Sequence, residues 1–84
     1  TRAEFTKLIV FILGYKDLAY DSSDFTDVDA SHWAKNYIQT AYNLGIIAGM
    51  GDGTFAPDAP VTYEQALKMV VCTLGYVQKV QQEV

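Results

Sequence analysis

One histidine, His32, and one cysteine, Cys72, are the only side chains of their kinds in this chain. Neither a serine nor the cysteine stands at a recognisable nucleophile spacing from His32, so covalent catalysis has no constellation to work with. His32 reads as a first-turn helix residue with a local hydrogen bond. Cys72 lies among apolar residues, has no partner for an internal disulfide, and reads as a small core residue. The acids Asp24, Asp27 and Asp29 invite a calcium test. A calcium loop needs alternating oxygen ligands, glycine at the sixth position and a late glutamate. Counted from Asp24 the sixth position is Asp29, and no glutamate follows at the twelfth. Asp27 is therefore expected to cap or brace a helix end. Asp52 and Asp58 bracket a single loop and read as turn chemistry, not as a glycosidase pair flanking a cleft. No metal, cofactor or intrinsic catalysis is expected. Arg2 taken alone reads as a solvated or salt-bridged surface residue. It occupies the first turn of a capped helix, where free backbone N–H groups and the helix dipole favour an anion.

Three helices are needed to hold these residues. Thr1-Arg2-Ala3-Glu4 spells a capping box, and Phe5, Leu8, Ile9 and Ile12 follow at helical spacing. Gly14 sits where a left-handed residue would end that helix. A polar, turn-rich stretch covers residues 16–31, with Phe25 and Val28 as its apolar anchors. A second helix is expected from His32 to Leu44, capped by Ser31 or Asp29 and stopped by Gly45. Trp33, Tyr37, Ala41 and Leu44 would share one face, which favours core packing or subunit contact for Trp33 over a place in a sugar groove. Ile46-Ile47 is a short apolar link. Asp52-Gly53 marks a tight turn, Phe55 folds back as an anchor and Pro57 stiffens the exit. Thr62-Tyr63-Glu64-Gln65 is a second capping box. It opens a third helix whose main face is Ala66, Met69, Val70, Thr73 and Leu74 and which Gly75 would cap. The tail, 77–84, would extend the helix loosely or fray. The fold class is all-α, a helix–loop–helix repeat with long ordered loops.

The balance of six basic against ten acidic side chains, net −4, excludes the basic stripe that nucleic-acid binding requires. Half of the residues are hydrophobic, too many for disorder, yet no run is long enough to cross a membrane. A chain this short and apolar is expected to present surface that another repeat or chain covers. The first and last helices repeat one phrase: TRAEFTKLIVFILGY at 1–15 and TYEQALKMVVCTLGY at 62–76. An internal period points to a repeat module. Residues 1–15 would be the closing helix of a preceding repeat, 16–24 a linker loop and 25–76 one complete repeat.

The complete repeat resembles the bacterial S-layer homology module. Phe25, Asp27 and Val28 match its Phe-x-Asp-Val opening, and His32-Trp33-Ala34 match its His-Trp-Ala. Ile38, Ala41, Gly45 and Ile46 follow in order, and then the Gly-Asp-Gly-Thr-Phe-x-Pro loop from Gly51 to Pro57. Thr1-Arg2-Ala3-Glu4 copies the signature of the family's second helix. The resemblance implies modules that usually come in threes and pack as a pseudo-threefold bundle. It implies secretion, mostly in Gram-positive bacteria, and anchoring of larger surface or S-layer proteins to the cell wall. The implied ligand is an anionic, often pyruvylated, cell-wall polysaccharide bound between neighbouring modules and contacted by the signature arginine. Carried over, this makes Arg2, Asp27, Trp33 and Tyr63 the candidate ligand residues. The complete repeat departs from the pattern at Tyr63, which can stack on a sugar but cannot neutralise a carboxylate. Two functions therefore stand: non-catalytic polysaccharide anchoring, or a divergent repeat serving as a structural or protein-interaction module. Self-association is expected if equivalent helices exchange between chains.

Overall fold

The computed structural model describes residues 1–15 and 18–82, so Lys16 and Asp17 of the expected linker and the last two residues of the expected tail lie outside it. It is all-α: α1 (Arg2–Ile12), α2 (Lys35–Asn43) and α3 (Tyr63–Gln82), joined by long loops, with no strand among the described residues. Both capping boxes form. Thr1 Oγ1 accepts the Glu4 N–H at 3.1 Å while the Glu4 carboxylate takes the Thr1 amine at 2.7 Å. Thr62 and Gln65 reciprocate in the same way, each bond 3.1 Å. Each box satisfies backbone donors that the first helical turn leaves open. Gly14 and Gly45 end α1 and α2 at φ +85° and +78°. Beyond them the N–H of Tyr15 reaches Val10 O and that of Ile46 reaches Ala41 O, which closes the last turns.

Three expectations need correction. The buried side of α1 is Arg2, Ala3, Thr6, Ile9 and Val10, whereas Leu8 and Ile12 are exposed. Residues 8–13 are apolar all round, so periodicity alone could not choose the face. The second helix starts at Lys35, because residues 29–34 form turns in which Asp29 O takes the His32 N–H and Asp29 Oδ1 the Ser31 N–H. Gly75 does not cap α3, which runs through it to Gln82. Glycine permits a left-handed stop without imposing one, and Gln78, Lys79, Gln81 and Gln82 are helix formers that carry on.

The core lies between α1, α2 and the loops. Phe55, Ile38, Ile46, Val10 and Thr6 are fully enclosed. Phe25 packs 5.3 Å from the Phe55 ring and edge-on to Tyr42 at 5.0 Å, a geometry that suits aromatic quadrupoles. The loop after α2 must pass close to Phe25. A Cβ at Gly49 would stand 2.6 Å from the Phe25 ring and 2.7 Å from Thr54 O, so only glycine fits. Gln39, buried in α2, ties the earlier loop down: its amide donates to Asp24 and Asn43 and its carbonyl accepts the Asp24 N–H.

Candidate functional site

The start of α1 is seated on the loop that precedes α3. The Arg2 N–H donates to Ala59 O and the Ala3 N–H to Pro57 O, both at 2.9 Å. These are donors that a helix start leaves open, and here the loop supplies their acceptors. Arg2 is only 4% exposed. Its Nε donates to Phe55 O at 2.8 Å, and its guanidinium carbon lies 4.5 Å from the Phe55 ring centroid. Burial lowers its pKa from the ordinary guanidinium value, and the nearby Asp27 carboxylate acts in the opposite direction. An arginine remains a cation at neutral pH throughout. Arg2 is thus a fixed charge rather than a waving surface side chain, and it forms no ion pair with a carboxylate among the described residues.

Asp27 holds the loop that Arg2 leans on. Its two carboxylate oxygens accept the Phe55 and Ala56 N–H groups, each at 2.8 Å. Ala56 sits at φ +57°, a left-handed conformation that costs a Cβ-bearing residue about 1–2 kcal/mol. Charge-assisted bonds to two adjacent amides offset that cost. Asp27 therefore braces a loop, where a helix end was expected.

Beside Arg2 opens a groove of about 320 Å³ between α3 and the segment 45–50. Gln65, Lys68 and Met69 line it from α3, together with Cys72, which is half-buried on the groove wall instead of in the core. Arg2 and Lys68 bring two cations to one concave surface of an acidic chain. Lys68 escaped the sequence reading as a site residue. A signal was present, because Lys7 and Lys68 are the only charged residues that both copies of the repeated phrase keep in register.

The other expected site residues lie elsewhere. Trp33 is 53% exposed and not in the core. Because α2 begins two residues later, Trp33 belongs to the preceding turn and drops out of register with Tyr37 and Ala41. It stacks on His32 at 5.9 Å, and the Lys7 ammonium lies 5.5–5.7 Å from the Phe11, Trp33 and Tyr37 ring centroids. His32 accepts the Ala34 N–H at Nδ1 and faces Asp58 at 3.3 Å through Nε2. Tyr63, at the first turn of α3, is 82% exposed and outside the groove lining.

Fold and site together define a small all-α repeat module in which a groove lined by Arg2 and Lys68 opens beside a helix start. Its sequence matches the S-layer homology domain over residues 24–67, and the chain belongs to that family. It is 41% identical over 80 residues to the cell surface protein of Thermoanaerobacter kivui, covering 90% of this chain and 10% of that protein. It is 38% identical over 79 residues to the middle cell wall protein of Brevibacillus brevis, covering 90% of this chain and 8% of the relative. An endoglucanase of Bacillus sp. strain KSM-635 is 38% identical over 78 residues, 93% of this chain and 8% of the enzyme. The chain thus spans a tenth or less of the length of these curated relatives. No solved structure matches it.

Proposed function

We propose that this chain is a non-catalytic module that holds a larger protein at the cell surface by binding an anionic cell-wall polysaccharide. The observation that carries the reading is the fixed Arg2 cation, which shares a groove with Lys68 and forms no ion pair with a carboxylate among the described residues. A ketal carboxylate on a pyruvylated sugar suits such a site, because guanidinium and ammonium donors give charge-assisted bonds in a partly desolvated cleft. Asp27 contributes by fixing the loop, since both of its oxygens are already engaged. Trp33 and Tyr63 offer exposed ring faces for stacking on sugars but no charge. The match to surface and cell-wall proteins supports the placement, and the match to an endoglucanase fits a module carried beside catalytic domains.

The test is retention on purified wall sacculi before and after chemical removal of the pyruvyl groups. Arg2→Ala is a poor probe, because it empties a buried seat. Lys68→Glu alters an exposed side chain and should lower the affinity at least about tenfold, the equivalent of 1.4 kcal/mol. Retention that is indifferent to both pyruvyl removal and Lys68→Glu sinks the reading. A protein-interaction module is the second reading, favoured by the exposed apolar side of α3. In that case sacculi are not bound and light scattering shows concentration-dependent self-association.

A further inference from the structure

The repeated phrase ends twice in Leu-Gly-Tyr, at Tyr15 and at Tyr76, and the structure brings these two tyrosines together. They arrive by different routes. Tyr15 follows the left-handed Gly14 beyond the end of α1, whereas Tyr76 lies inside α3, which runs straight through Gly75. Their hydroxyls are hydrogen-bonded to one another, and either can be the donor. Their ring centroids lie 6.4 Å apart, with the planes tilted by 54°. Of the six tyrosines, these are the two that meet ring to ring among the described residues. Both are half-buried against the edge of the core. A cleft of about 290 Å³ opens on the pair, with Leu13, Val77 and Val80 as apolar walls and Gln81 as a neutral amide. The two phenols are its only ionisable lining groups, and no thiol lines it.

We propose that Tyr15 and Tyr76 are an oxidative cross-linking site, converted to a dityrosine that ties the end of α1 to α3. The co-reactant is hydrogen peroxide, used by a haem peroxidase as a one-electron oxidant. Each phenol gives up one electron and one proton and becomes a tyrosyl radical. The ring carbons ortho to the two oxygens join in a new C–C bond. The hydrogen on each of those carbons then passes through water to its oxygen, which restores both aromatic phenols. The two electrons and two protons released reduce one peroxide to two waters. In a dityrosine the hydroxyls flank the new bond, and the hydrogen-bonded pair already holds them side by side. Held neighbours react within the chain far faster than partners that must first meet by diffusion. The link would span 61 positions and so restrict the unfolded chain as a long disulfide loop does. Neither tyrosine lines the Arg2 groove, so the assignment is independent of the polysaccharide reading.

The 84-residue chain, treated with a haem peroxidase and hydrogen peroxide over a range of dilutions, tests this. Products are analysed after thiol reduction, so that a Cys72 disulfide does not count. The expected product is a monomer lighter by two hydrogens, with dityrosine fluorescence and a yield independent of protein concentration. Trypsin should release one new species, peptide 8–16 joined to peptide 69–79. The linked monomer should melt at least about 5 °C above the untreated chain. Tyr15→Phe and Tyr76→Phe each keep the ring but remove one phenol, and each should abolish the product. Tyr63→Phe, at a tyrosine that is 82% exposed, should leave it unchanged. The peptide map of the unaltered chain decides the assignment even if a variant folds poorly. Absence of dityrosine, cross-links only between chains, or a link mapped to any other pair would overturn the proposal. So would a linked monomer that melts no higher than the untreated chain.

Discussion

α1 and α3 begin with capping boxes in which the threonine hydroxyl accepts its N–H at the same 3.1 Å, and they carry one repeated phrase, yet one helix is embedded and the other lies largely on the surface. The difference shows that helix formation here is local and helix burial is not. A capped, apolar phrase folds into a helix in either setting. Which side it buries depends on which platform lies beside it. Seating also decides chemistry. At the first position of α1 a cation is locked against Phe55, whereas at the same position of α3 a phenol is 82% exposed to solvent.

The sharpest way to break the comparison is to remove the seat. Asp27→Ala leaves the Phe55 and Ala56 N–H groups without their carboxylate and should cost about 3 kcal/mol in urea unfolding. Asp27→Asn, which can accept only one of the two bonds, should fall between. A loss below about 1 kcal/mol would show that the Ala56 conformation is held by other contacts. Next comes a matched pair in the two helices. Val10 is fully buried and Val71 is 60% exposed. Val10→Ala should lose about 2 kcal/mol and Val71→Ala less than about 0.5 kcal/mol, read from the same denaturation curves. Equal losses would mean that α3 is packed in solution as firmly as α1.

Capping should show the opposite pattern, because the two boxes match. Thr1→Ala and Thr62→Ala should each weaken their own helix by about 1 kcal/mol. Only the first should lower global stability by that amount, while the second should appear chiefly as faster amide exchange in the first turns of α3. The smallest effect is expected in the 51–55 turn. The Thr54 hydroxyl and N–H hold the Asp52 carboxyl below its ordinary pKa. A depressed folded-state pKa gives stability that is present above the unfolded value and is lost as pH falls through the folded one. Asp52→Asn should therefore flatten part of the acid limb of the stability profile and change little at neutral pH. An unchanged acid limb would mean that Asp52 makes no difference to the turn.

Much of the positioning framework could be read before the fold. Thr1-x-x-Glu4 and Thr62-x-x-Gln65 announced both helix starts, and Gly14 and Gly45 announced two stops, because capping and left-handed termination are contacts within a few residues. Phe25, Val28 and Phe55 were recognisable as loop anchors from their apolar character in polar surroundings. The groove was not legible. Arg2 and Lys68 are far apart in sequence and line one groove only because α1 and α3 flank the segment 45–50. The surface position of Trp33 was missed because turns that begin at Asp29 displaced the helix start by three residues from His32.

By itself, then, the sequence determined that this protein is a capped helical repeat of a known surface family and acidic overall. Tertiary structure decided which face of each repeated helix is buried. It also turned Arg2 from a solvated or salt-bridged surface residue into a fixed, buried cation, and gave Asp27 to the loop backbone. The physical reason is range. Caps, turns and periodicity act within one or two helical turns of a residue, whereas burial and the meeting of charges depend on neighbours up to tens of residues away along the chain.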